Sequence, residues 1–354
     1  MHPVRWRQVA GLLAGAAVLA LAFMPAQCSS AQSPAAVTFD DSAVVSSKTP
    51  DWFKQSFLDL RADLADAHKA GKKGLMVYFS TEGCAYCKAF VEKSLADPAI
   101  AASVRRHFDA INLEIFEDAE MSDLQGKAMA VKAFAKRERA EFSPTVIFYG
   151  ADGKTMLRVV GYQSPERFKR VLDYVIGDHY RTATLADYLG THAAPPTGSK
   201  PGGLIGNPLF MAPPYALDRR IPAKRPLLVI FERPDCGECR QFHTNILIDP
   251  EVQKRIRQFE VVRLDAGDDK TPVLGVRGEK LTPRRWVRSL GLSHSPSMVF
   301  FDEAGKEVLR IDALVLNQRM ARALGYVLDK AYLQDIPFQR YTREKSLERM
   351  KTGK

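Results

Sequence analysis

Two stretches decide the fold: GLMVYFSTEGCAYCKAF, Gly74 to Phe90, and PLLVIFERPDCGECRQF, Pro226 to Phe242. Each opens on an unbroken apolar run, Leu75–Phe79 or Leu227–Phe231, the pattern of a strand buried on both faces. Each then passes through a short polar break into Cys-x-x-Cys and the start of a predicted helix. The first cysteine therefore falls at a helix N-terminus, where unpaired N–H groups and the helix dipole favour a thiolate. The second, three residues on, shares its helical face and can close a disulfide within one turn.

The two stretches belong to a longer repeat. A shift of 152 positions lays Cys84 on Cys236, Cys87 on Cys239, Asp97-Pro98 on Asp249-Pro250 and Pro144 on Pro296. Near the end of each copy Arg167, Arg170, Leu172, Tyr174 and Val175 meet Arg319, Arg322, Leu324, Tyr326 and Val327. The register slips by one between Phe108 and Leu113 and is then restored. The chain holds two copies of one domain, over residues 48–190 and 204–333. The Pro/Gly/Ser-rich stretch 191–203 between them reads as a linker, and 334–354 as a basic tail.

In each copy the predicted order is strand, Cys-x-x-Cys helix, strand (Ala110–Ile115; Val261–Asp265), helix (Lys127–Lys136; Pro283–Leu290), Ser-Pro and strand (Thr145–Tyr149; Met298–Phe301). A further strand and an amphipathic helix (Pro165–Ile176; Asn317–Leu328) close it. That order implies α/β architecture with a mixed sheet between helices. The copies differ at their entrances. Asp51–Ala70 has helical apolar spacing with Thr49 as its expected cap, whereas Leu204–Lys224 carries four prolines and excludes one continuous helix.

Residues 1–31 read as a signal peptide: a short basic start, an uncharged run from Val9 to Met24, then small residues, with cleavage expected after Ala31. The run falls short of the roughly 20 residues of a spanning helix. An uncleaved anchor is the alternative. Lipidation at Cys28 is disfavoured by Gln27 and Pro25, which stand where small residues are needed. The expected location is the periplasm or an equivalent extracytoplasmic space. Four cysteines remain after cleavage, an even count that suits an oxidising compartment. The net charge of +10 is dispersed, with no basic patch interleaved with aromatics, so nucleic acid is not an expected partner.

Two short-loop cysteine pairs make poor structural staples and call for a chemical role. Cys84 and Cys236 are the candidate nucleophiles; Cys87 and Cys239 resolve the mixed disulfide. Zinc is not expected, since zinc ribbons join their pairs over about 15–20 residues, whereas Cys87 and Cys236 are 149 apart. Pro144 and Pro296 each lie 60 positions after the first cysteine of their copy. The plain interpretation is a proline leading into a strand. The functional one is a cis-proline packed on the cysteines, turning the backbone of Ser143 or Ser295 toward an incoming peptide.

Strand, Cys-x-x-Cys, helix, strand, helix, Pro, hairpin and helix together resemble the thioredoxin fold, so the expectation is two thioredoxin-like folds in tandem. YFSTEGCAYC (Tyr78 to Cys87), LADPAIAASVRRHFDAINLEI (Leu95 to Ile115) and FSPTVIFYGADGK (Phe142 to Lys154) make the first copy similar to the periplasmic thioredoxin-related proteins of bacterial sulfur-oxidation (Sox) systems. The resemblance implies a dithiol carrier or protein disulfide reductase that uses its redox-active disulfides and no other cofactor. Its partners would be protein thiols and disulfides, and a membrane thiol transporter would recharge it.

The departures are specific. Cytosolic thioredoxins carry WCGPC and a buried acid on the preceding strand; here the motifs are GCAYC and DCGEC, with Tyr78 and Ile230 in the acid's place. Glu82 is a candidate substitute, weighed against a solvated surface role. Tyr86 inside the first motif resembles the CxYC of disulfide isomerases and leaves isomerisation open. A redox-inactive peptide-binding chaperone or scaffold is the other alternative. His243 and His294 read as surface or packing residues. Asp235 and Glu238 flank Cys236 with negative charge, which predicts the higher thiol pKa there and electron flow from the second domain to the first. The first domain would then meet substrate, with Tyr86 at its surface.

Overall fold

The structure is a computed structural model that describes residues 1–3, 39–191, 203–234 and 236–352. The signal-peptide expectation, Cys28, most of the linker and Asp235 lie outside the described residues. No described helix is long and apolar enough to cross a membrane.

The first copy runs α1 (Leu60–Lys69), β1 (Gly74–Ser80), α2 (Ala85–Ala89), α3 (Pro98–His107), β2 (Phe108–Glu114), β3 (Glu120–Ser122), β4 (Ala128–Ala130), α4 (Val131–Arg137), β5 (Thr145–Gly150), β6 (Thr155–Val160), α5 (Pro165–Ile176) and α6 (Leu185–Thr191). Its main sheet has the order β2-β1-β5-β6, with β1 parallel to β2 and antiparallel to β5. The alternation of β1 sends Met76 and Tyr78 into one core and Leu75, Val77 and Phe79 into the other, which is why the strand is apolar throughout.

The second copy repeats the plan: β7 (Tyr215–Ala216), β8 (Leu227–Glu232), α7 (Gly237–Gln241), α8 (Pro250–Ile256), β9 (Glu260–Asp265), β10 (Val273–Leu274), β11 (Lys280–Leu281), α9 (Pro283–Leu290), β12 (Ser297–Phe301), β13 (Glu307–Ile311) and α10 (Asn317–Leu328). Its sheet order, β13-β12-β8-β9, matches the first with the same strand directions. Both Asp-Pro pairs start a helix in the same way. Asp97 and Asp249 accept hydrogen bonds from first-turn amides of α3 and α8, while the proline fills a position whose N–H has no partner in any case.

Two expectations need correction. The helix before β1 begins at Leu60, not near Asp51, and its cap is Asp59, not Thr49; Leu58 takes a left-handed conformation that stops any earlier helix, and Phe53 is buried in the core instead. Helix α4 begins at Val131 because Ala128–Ala130 pair with β3. The basic tail folds as α11 (Phe338–Thr352), anchored by buried Phe338, Gln339, Tyr341 and Ser346. Tyr341 donates to Asp329 at 2.7 Å, just beyond α10.

The copies pack face to face. Leu314 of the second belongs to the core of the first, and Phe142 stacks on Phe338 at 5.8 Å between ring centroids. Gly161, at φ 78°, lies so close to Ala313 that an added Cβ would fall 2.1 Å from the Ala313 Cβ, so only glycine fits.

Candidate functional site

Each Cys-x-x-Cys is closed as a disulfide, with Cα atoms 5.2 Å apart for Cys84–Cys87 and 5.1 Å for Cys236–Cys239. The first sulfur of each pair is the helix N-cap. Cys84 Sγ accepts from the Cys87 amide at 3.0 Å, and Cys236 Sγ from the Cys239 amide at 3.0 Å. An atom held there receives the positive end of the helix, which favours an anion once the disulfide opens. Both α2 and α7 run on into a π-helical turn, Phe90–Leu95 and Phe242–Ile246.

The two prolines directly follow the serines that lie beside Cys84 and Cys236. The Ser143–Pro144 and Ser295–Pro296 peptide bonds are both cis. Cys84 Sγ lies 3.9 Å from the Ser143 carbonyl oxygen and accepts from the Ser143 hydroxyl at 3.7 Å. Cys236 Sγ lies 3.3 Å from the Ser295 carbonyl oxygen. Disulfide, helix N-terminus and serine carbonyl thus recur in both copies.

The thioredoxin-like domain family matches the chain twice, over residues 60–176 and 214–328. The chain belongs to the thioredoxin-like family. Solved structures similar to it include a thioredoxin-fold protein from Helicobacter pylori (15% identity, 39% of this chain and 92% of that one, TM-score 0.34). A thioredoxin from Thermus thermophilus is 24% identical over 32% of this chain and 82% of its own, with a TM-score of 0.27. A disulphide isomerase from Xylella fastidiosa is 17% identical over 33% and 85%, with a TM-score of 0.23. No curated protein matches the chain in sequence. Two thioredoxin-like folds in tandem, each with a Cys-x-x-Cys disulfide, are the make-up of a thiol–disulfide oxidoreductase.

The two thioredoxin-like sites differ in access. Cys84 is 8% exposed and Ser143 0%, whereas Cys236 and Ser295 are half-buried. The cover on the first site comes from α10 of the second domain and from α11 beyond it. Gln339 Nε2 donates to the Ser143 carbonyl and hydroxyl oxygens, both at 2.8 Å, and Arg319 Nη2 donates to the same carbonyl at 3.4 Å. Tyr86 is not at the surface: it is 2% exposed, donates to Asp41 at 2.9 Å and accepts from the Leu316 amide at 2.8 Å. Burial and the neighbouring Asp41 carboxylate push its phenol well above its ordinary pKa. Asp41 also accepts from the Gln318 and Arg319 amides, so a remote segment caps α10, which has no side-chain cap of its own at Leu316.

Tyr78, in the place of the family's acid, donates to the Cys87 carbonyl at 3.5 Å. Glu82 is exposed and paired with Arg343 at 3.6 Å, as a surface carboxylate would be. The histidines depart from a surface role. His294 is buried, with Nε2 2.9 Å from Glu238 and Nδ1 3.2 Å from the Pro296 carbonyl oxygen, so it ties the second motif to its proline loop. His243, also buried, lies 3.0 and 3.1 Å from the two Glu232 oxygens. Glu232 follows Leu228 and Ile230 on one face of β8, and His243 follows Cys239 by one helical turn. That pairing of a strand-end acid with a histidine one turn past the motif was the available signal for both residues.

Proposed function

We propose that the protein is an exported protein-disulfide reductase and dithiol carrier that works in the periplasm. The observation that carries this is the repeated placement of Cys84 and Cys236 at a helix N-terminus beside a serine carbonyl and a cis-proline. In the reduced protein the first thiolate attacks one sulfur of a substrate disulfide and releases the other as a thiol. The second cysteine, Cys87 or Cys239, then displaces the substrate's remaining thiol and closes the protein disulfide. Two electrons and two protons pass to the substrate, and a membrane thiol transporter returns them. Ser143 with Pro144 and Ser295 with Pro296 hold the substrate strand. The apolar leader and the first copy's resemblance to Sox-associated periplasmic proteins support the compartment.

In the docked arrangement Cys236 is the sulfur within reach of a protein substrate, because the Ser143 carbonyl and Tyr86 are already covered. Insulin reduction by dithiothreitol tests the reading with Cys84→Ser, Cys236→Ser and the double variant. The expected result is strong loss in Cys236→Ser and full loss in the double variant. Absence of insulin reduction in the wild-type chain, with peptide binding that survives in the double variant, would establish the chaperone or scaffold alternative. Rescue of scrambled ribonuclease without net reduction would establish isomerisation. N-terminal sequencing of the exported protein should begin near Gln32.

A further inference from the structure

The repeat lays Arg167 on Arg319, each in the last helix of its copy, and the dithiol chemistry above uses neither. In the folded molecule each of them crosses to the other domain. Arg167 Nη2 donates to the Ser293 carbonyl at 3.0 Å, three residues before Pro296. Arg319 Nη2 donates to the Ser143 carbonyl, directly before Pro144.

The two guanidiniums are not equally satisfied. Arg167 also donates to Gln163 at 2.7 Å. Arg319 is 4% exposed, forms no ion pair among the described residues, and leaves Nε and Nη1 without hydrogen-bond partners. Its guanidinium carbon lies 3.4 Å from the Tyr86 ring centroid and 4.8 Å from that of Phe142. A buried guanidinium so poorly paired is unfavourable unless an anion forms beside it. One does form on reduction. Cys84 Sγ sits beside the same Ser143 carbonyl oxygen, and Cys84, Tyr86, Arg319, Arg322 and Gln339 line one cavity of about 30 Å³. The other charges facing it are already engaged: Glu82 with Arg343, Arg322 with Thr342 and Ser346, and Asp41 with Tyr86 and the first amides of α10.

We propose that Arg319 is a positioning residue of the first redox site, a cation supplied by the second domain that stabilises the Cys84 thiolate. The proposal rests on Cys84 being the redox nucleophile. Reduction by two glutathione molecules breaks the Cys84–Cys87 bond and forms glutathione disulfide. It leaves a thiolate on Cys84 and a thiol on Cys87, and releases one proton. A cation beside that thiolate lowers the thiol pKa and favours the reduced pair, so it makes the first disulfide more oxidising than it would be without Arg319.

The test uses the full chain with Cys28, Cys236 and Cys239 replaced by serine, titrated with glutathione and, when reduced, with pH while the thiolate absorbance is followed. Arg319→Gln should lower the equilibrium constant for reduction about tenfold, equivalent to about 30 mV, and raise the Cys84 pKa. Arg319→Lys should restore most of both. Gln339→Ala, which removes a neighbouring hydrogen bond and keeps the charge, should leave the pKa unchanged. Unchanged values in Arg319→Gln, or a lysine variant as impaired as the glutamine one, would overturn the proposal. Independently of any variant, the parent's Cys84 pKa must lie below the ordinary value of about 8.5. A parent that never equilibrates with glutathione would instead overturn the oxidoreductase reading itself.

Discussion

Glu238 stands between the cysteines of the second motif, where its charge alone would disfavour a Cys236 thiolate. The fold changes that balance. Burial would raise its pKa, but His294, Arg167 and Arg170 outweigh burial and hold the carboxyl below its ordinary range. A folded-state pKa below the unfolded one means that the Glu238–His294 pair stabilises the fold above about pH 4.3. That contribution is lost as pH falls through the lower folded value. Carboxyl NMR titration should place Glu238 below about 4.3 in the wild-type chain and move it upward in His294→Ala; no movement would show that His294 does not hold it. The neighbouring Glu232 is a separate case, because it is almost fully buried against His243, with Arg263 4.0 Å away. Glu232→Ala leaves His243 without its acceptor and should cost about 3 kcal/mol in denaturant unfolding, the order found when one partner of a buried ionic contact is removed.

At the scale of elements, α11 is the cover of the first site. Its Gln339 donates to the Ser143 carbonyl beside Cys84, and Phe338 stacks on Phe142. A chain ending at residue 337 should therefore alkylate at reduced Cys84 at least about tenfold faster than the full chain, since thiol reactivity follows access as well as pKa. Cys236 should react at an unchanged rate. Equal Cys84 rates in both chains would show that α11 does not limit access. From sequence, this segment reads as a charged tail because its few apolar anchors are scattered among basic and acidic residues. Only its packing against α10 and the first domain gives it a buried side.

At the scale of the molecule, the two domains share their cores as well as a linker: Leu314 packs in the first core, while Asp41 of the N-terminal segment caps α10 of the second. Domains joined this way should unfold together. In a chain that starts at Gln32, and so lacks Trp6, Trp52 and Trp286 report on one domain each. Urea unfolding followed by fluorescence in Trp286→Phe and Trp52→Phe chains should give coincident midpoints, each within the cost of its substitution. Two well-separated transitions would show that the docked interface contributes little. The same interface corrects one expectation about a side chain. It buries Tyr86, which was expected at the surface, and leaves Cys236 more exposed than Cys84.

By itself the sequence determined everything that depends on short-range pattern: the central strands β1 and β8, the cysteines at their helix starts, the Asp-Pro caps, and the prolines 60 positions later. Those features repeat because local backbone physics is the same in each copy, and a 152-residue shift makes the repetition visible. Only the tertiary structure decided which site is open, what caps α10, and where Arg319 and His294 point. Asp41 and the Arg319 amide are 278 residues apart in the chain, and Gln339 and Ser143 are 196 apart. No local pattern records such a pairing. It arises because each domain leaves the end of its sheet and its proline loop uncovered, and burying that apolar surface against the other copy brings distant polar groups into contact.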